Sequence, residues 1–148
     1  MQLFLKPFHV TSGAMELLAQ KEGKEAWLEE LSPPYVLTKS FSGEEFVCVL
    51  FCNDANASEA ERKQLCEQIV AAKCKYALCA GIDCEKWHDA IDSAFLDTDP
   101  NSSPPDEELI MTSWHEDEPP SEVIWSALHI TDFELHEFKK YLILMVGA

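Results

Sequence analysis

Basic residues are scarce where this chain is most acidic. Between Asp83 and Glu137 the one lysine or arginine is Lys86, against 16 carboxylates. Residues 1–75 hold 8 Lys/Arg and 11 Asp/Glu, residues 76–148 hold 3 and 16, and the formal net charge is −16. A surface of that sign repels phosphates and anionic headgroups, which disfavours direct binding of nucleic acid or a membrane. Glycine is scarce too, with 5 in 148 residues. Neither G-x-G-x-x-G nor G-x-x-x-x-G-K-[ST] occurs, so no backbone cradle for a nucleotide is expected. No apolar run approaches the roughly 20 residues that span a bilayer.

The six cysteines, Cys48, Cys52, Cys66, Cys74, Cys79 and Cys84, form no C-x-x-C pair. Zinc-ribbon and thioredoxin-type readings therefore lack their spacing. Most of the six lie inside apolar runs such as Phe46–Cys52, where a free thiol behaves as a small hydrophobe. The Met1–Pro7 segment has no basic start and too short an apolar run for a signal peptide. Free thiols in a cytoplasmic protein are the expectation. Catalytic signatures are missing as well. There is no G-x-S-x-G elbow, and His115-Glu116 continues as Asp117-Glu118-Pro119 rather than H-E-x-x-H.

What remains is a globular composition, 47% hydrophobic, at a length that suits one domain. Four continuous apolar runs read as strands covered on both faces: Phe46–Cys52, Tyr76–Ala80, Leu109–Trp114 and Leu142–Val146. Between the first two, Ser58 and Glu61 make a capping box, and Leu65, Ile69 and Ala72 recur at helical spacing. After the second strand, Asp83 stands as a helix cap ahead of Trp87, Ile91, Ala94 and Phe95. After the third, Pro119-Pro120 opens a helix with Val123, Ile124, Ala127 and Leu128. An amphipathic piece from Phe133 to Lys140 precedes the last strand.

The first 45 residues are less regular. Gln2–Val10 reads as an edge strand, Thr11/Ser12 as the cap of a helix running through Leu31, and Tyr35–Phe41 as a hairpin partner of Phe46–Cys52. The expected fold is one α/β domain over 1–148. It is a three-layer sandwich, Rossmann-like or flavodoxin-like, with a mostly parallel sheet of four to five strands and an antiparallel N-terminal edge.

In such a sheet ligands gather outside the carboxyl ends of the strands. Those ends carry Asn53-Asp54, Gly81-Ile82-Asp83-Cys84, His115-Glu116-Asp117-Glu118 and Gly147-Ala148. Asp54, Asp83, His115 and Asp117 form a candidate catalytic or metal set, because carboxylates with an imidazole suit Mg²⁺ or Mn²⁺. The same acids stand at predicted helix starts, where they complement the macrodipole without any ligand. Cys84 with His115 offers a Cys–His dyad that the surrounding acids oppose. His9, His88, His129 and His136 read as structural or surface residues. Trp87 and Trp125 read as core, Trp27 as part of the N-terminal helix, and Trp114 as the lip of a cleft.

Two resemblances are architectural. Strand ends bearing Asn53-Asp54 and Asp83 resemble the acidic pocket of response-regulator receiver domains. The third strand, however, ends at His115 where the phospho-accepting aspartate belongs, and the last strand lacks a Lys-Pro end. No receiver residue is carried over. In size, acidity and absence of motifs the chain is similar to bacterial immunity and antitoxin proteins and to nucleic-acid mimics, with no residue mapping. Two functions follow as expectations. The first is a non-catalytic protein, without cofactor, that docks a basic partner through Trp114, His115, Glu116, Asp117 and Glu118. The alternative is a small metal-assisted hydrolase or nucleotide-processing domain using Asp54, Asp83, His115 and Asp117 with Mg²⁺ or Mn²⁺. A homo-oligomer joined through an apolar edge strand is a third possibility.

Overall fold

The computed structural model describes residues 16–147 apart from 22, 39, 40, 134 and 135. Its strands are β1 Glu16–Lys21, β2 Lys24–Leu31, β3 Phe46–Cys52, β4 Cys74–Gly81, β5 Met111–His115 and β6 Lys140–Val146. They form one six-stranded sheet in the order β1-β2-β6-β3-β4-β5. From β2 to β5 every neighbouring pair is parallel, and β1 alone returns antiparallel on β2. The helices are α1 Glu59–Ala71, α2 Cys84–Leu96 and α3 Pro120–His129. The three-layer α/β sandwich expected from the apolar runs is the observed architecture.

β3 sits at the centre, and all seven of its residues are buried. Alternate side chains serve opposite layers, as the two-residue period of a strand requires. Cys48, Leu50 and Cys52 pack with Leu65 and Ile69 of α1 and Trp87 and Ile91 of α2. Val47, Val49 and Phe51 pack with Val123, Ile124, Ala127 and Leu128 of α3. The β3–α1–β4 and β4–α2–β5 units step outward along the sheet with their helices on one face. The return from β5 to β6 carries α3 on the other face, as right-handed crossovers demand. Ser58 and Glu61 close the capping box of α1 in both directions, and all six thiols are buried and free.

Several expectations are corrected. The helix expected through Leu31 does not form over the described residues: Glu16–Lys21 and Lys24–Leu31 are strands β1 and β2, with Gly23 between them at φ +79°. Trp27 accordingly lies in a strand. Pairing of β2 with β6 overrides the helical preference of its Glu, Leu and Lys residues. The hairpin of Tyr35–Phe41 with β3 does not form either, because β6 and β4 occupy both edges of β3. That segment belongs to the crossover from β2 to β3. Tyr35 is buried there, Leu37 and Phe41 pack on the α1 side, and the Leu37 amide donates to Gln68 Oε1 at 2.7 Å. The expected piece from Phe133 to Lys140 shows, among the described residues, only an antiparallel bridge between Phe133 and His136 before β6. β5, expected to be covered on both faces, lies at the sheet edge, with Met111 and Trp114 exposed. Trp125 is exposed and rests on His129 with ring centres 4.5 Å apart. The expectations for Gln2–Val10, His9 and Thr11/Ser12 lie outside the described residues.

Candidate functional site at the carboxyl ends of the strands

Parallel pairing brings Cys52, Gly81, His115 and Val146, the last residues of β3, β4, β5 and β6, to one rim. The chain leaving β4 enters α2 on one face, and the chain leaving β5 enters α3 on the other. The two loops diverge, which makes the β4/β5 end the topological switch point where open α/β sheets place their crevice. A cleft of about 340 Å³ opens there, lined by Gly81, Asp83, Cys84, Glu85, Lys86, Glu116 and Asp117. Another cleft of about 270 Å³ lies against α1 and α2, with Glu59, Arg62, Lys63 and Asp89 in its lining. It sits away from the strand ends, and its charges are mixed.

The switch-point walls are held tightly. Gly81 has φ +82°, and a Cβ there would stand 2.3 Å from the Cys52 carbonyl oxygen, so only glycine passes this close to β3. Asp83 follows at φ 56° and Asp117 at φ 58°, two aspartates in left-handed backbone on opposite loops. Asp83 occupies the N-cap position of α2 without the expected side-chain bond to the helix. The left-handed turn replaces the extended backbone from which such a cap reaches back. Its carboxylate instead lies 3.9 Å from Lys86 Nζ, an exposed pair that contributes little to stability. Cys84 is buried at the first turn of α2, and burial, followed by the Glu116 charge, pushes its thiol pKa up. That shift opposes the thiolate a nucleophile needs.

His115 sits beside the cleft, not in its lining. Its Nδ1 is 2.7 Å from Glu118 Oε2 and its Nε2 is 2.9 Å from Ser113 Oγ. The carboxylate accepts from Nδ1–H, which leaves Nε2 to accept from the serine hydroxyl. Trp114, two residues before Glu116, is 45% exposed and lies edge-on to His88. Asp54 stands apart at the β3 end. It accepts the Tyr35 hydroxyl through Oδ2 and the Asn56 amide through Oδ1 at 2.8 Å. The tyrosine bond first, then the amide, lowers its carboxyl pKa below the ordinary 3.8. A Cβ on Gly147 would come within 2.5 Å of Asp54 Cβ, so the end of β6 closes over this residue.

Of the expected site residues, the fold brings Asp83, Glu116 and Asp117 together, with His115 and Glu118 bonded to each other alongside. Asp54 is held elsewhere by Tyr35. Among the described residues, the one group of three side chains with ligand atoms within 4.8 Å of each other is His88, Asp89 and Asp92 on α2. Its sequence signal is the i, i+4 spacing of His88 and Asp92. Thr112 on β5, which bonds to both His88 and Asp92, is reached only by folding. His88, expected at the surface, is largely covered and bonds to both Asp89 and Thr112.

A three-layer α/β domain with an acidic cleft at its switch point is therefore the class that fold and site define. Residues 26–148 match the model of DUF7684, a domain of unknown function. The chain belongs to that family, whose match begins within β2 and covers the parallel sheet. No curated protein matches the chain. No helix among the described residues is long and apolar enough to cross a membrane.

Proposed function

We propose that this chain is a non-catalytic interaction protein of the immunity or inhibitor type. It docks a basic protein through Trp114, His115, Glu116, Asp117 and Glu118 at the acidic end of the sheet. One observation carries the reading: the switch-point cleft is lined by Asp83, Glu85, Glu116 and Asp117, and its one cation, Lys86, is already beside Asp83. A lysine or arginine entering from a partner meets an excess of carboxylates. Trp114, half exposed at the edge of β5, supplies an aromatic anchor next to them. Complementary charge speeds encounter and rejects acidic competitors.

Titration with a lysine decapeptide across a salt series tests this reading. Affinity should fall steeply as the Debye length shrinks from about 10 Å at 0.1 M to about 3 Å at 1 M. It should collapse in the triple variant Glu116→Lys, Asp117→Lys, Glu118→Lys. Affinity indifferent to both changes refutes the reading. Self-association through β5 without peptide binding would instead favour a second copy as the occupant. The metal-assisted alternative has weaker support. No three of Asp54, Asp83, His115 and Asp117 lie within ligand reach of one another, and both Asp54 and His115 are engaged by neighbours.

A further inference from the structure

We propose that His88, Asp92 and Thr112 form a binding site for a divalent transition-metal ion, with Asp89 as the residue that orients the imidazole. The site lies on α2 and β5, uses none of the docking residues as ligands, and does not depend on the docking reading. His88 Nδ1 lies 2.9 Å from Asp89 Oδ1, so the carboxylate holds the ring with Nε2 turned towards Thr112 and Asp92. A carboxylate on the distal nitrogen is the usual partner of a metal-bound histidine.

Nε2 faces a crowded place. Nε2 is 3.0 Å from Thr112 Oγ1 and 3.6 Å from Asp92 Oδ2, and the Thr112 hydroxyl donates to Asp92 Oδ1 at 2.9 Å. The Thr112 hydroxyl thus bridges His88 Nε2 and Asp92, and donor atoms of the three side chains converge on one point. A cation between the three groups satisfies all of them. The spacing suits one, since ligand atoms on a tetrahedral ion with bonds near 2.0–2.1 Å stand about 3.3 Å apart. The mixed imidazole and oxygen set favours zinc-like ions over magnesium. His88 is mostly covered, whereas Asp92 is about half exposed, so an ion has a route in from solvent. The Trp114 ring, centred 4.7 Å from that of His88, covers one side.

Calorimetric titration of the full-length, reduced protein with zinc chloride tests the site, with Co²⁺ absorption as the check on ligand type. One zinc per chain is expected. Asp92→Asn and Asp89→Asn should each weaken binding by roughly 10–100-fold. Thr112→Val should weaken it, Thr112→Ser should restore it, and Asp83→Asn and Asp117→Asn should leave it unchanged. The Co²⁺ form should lack a thiolate charge-transfer band, and zinc should shift the His88 Nε2 resonance. The conservative Asn and Ser variants decide the matter if His88→Gln fails to fold. Absence of binding at millimolar zinc, affinity unmoved by Asp92→Asn and Thr112→Val, or a thiolate band would each overturn the site. So would a His88 ring protonated on both nitrogens in the presence of zinc.

Discussion

Asp83 and Asp117 line one cleft from successive strand ends, and both hold left-handed backbone, at φ 56° and φ 58°. Side chains with a Cβ adopt that region at a cost, which aspartate bears better than most because its short polar side chain bonds locally. Two such residues on opposite walls place carboxylates where the helix-start explanation alone does not require them. Asp117→Gly should therefore hold or raise stability by up to about 1 kcal/mol, through relief of the backbone. The same change should weaken lysine-decapeptide binding. Urea unfolding and the binding titration together check both halves. A clear loss of stability would mean that Asp117 serves the fold.

Gly81 makes the opposite case. Its φ of +82° and the 2.3 Å approach to the Cys52 carbonyl leave no room for a methyl group. Gly81→Ala should cost at least about 2 kcal/mol, since both strain and a backbone shift at β3 are involved. A variant melting with the parent protein would show that the β3 and β4 ends are looser than this geometry.

The Tyr35–Asp54 bond ties the β2–β3 crossover to the rim. Asp54 has a lowered pKa in the folded state, so its contribution is present above the unfolded value of about 3.8. It is lost as pH falls through the lower folded value. Tyr35→Phe should be less stable than the parent at pH 7, and the gap should narrow in acid. Denaturation at pH 7 and below pH 4 reads this directly. A gap independent of pH would assign the loss to packing instead.

The thiols titrate in the other direction. Burial pushes Cys74 up to about 12 from 9, and raises Cys48 and Cys79 well above their ordinary value. Each contributes stability that is complete below the unfolded value near 9 and declines as pH rises towards the folded one. Unfolding free energy should fall between pH 9 and 12. Native protein should resist alkylation, and denatured, unreduced protein should take up six alkyl groups. Fewer than six would indicate a disulfide.

The central strands were legible because burial on both faces writes continuous apolar runs such as Phe46–Cys52, and the Ser58–Glu61 box marked α1 directly. β1 and β2 were not, since Lys24–Leu31 is rich in helix formers and is held as a strand by β6, more than 100 residues away in sequence. Glu29 compounds the difficulty: its carboxylate is fully buried and accepts from the Thr38 amide at 3.1 Å, which no alternation rule foresees. The rim could be read from the strand ends alone. That Asp54 turns to Tyr35 while Asp83 and Asp117 share a cleft depends on α2 and α3 lying on opposite faces, which local pattern does not encode.

The measurement that tests the docking account most directly is a chemical-shift map of the ¹⁵N-labelled chain titrated with a lysine decapeptide at low and high salt. The account predicts shifts concentrated at residues 81–86 and 114–118, abolished by 1 M salt and by the triple lysine variant at Glu116, Asp117 and Glu118. Shifts spread evenly over all acidic segments, including residues 97–108, or no shifts at the switch point, would contradict it.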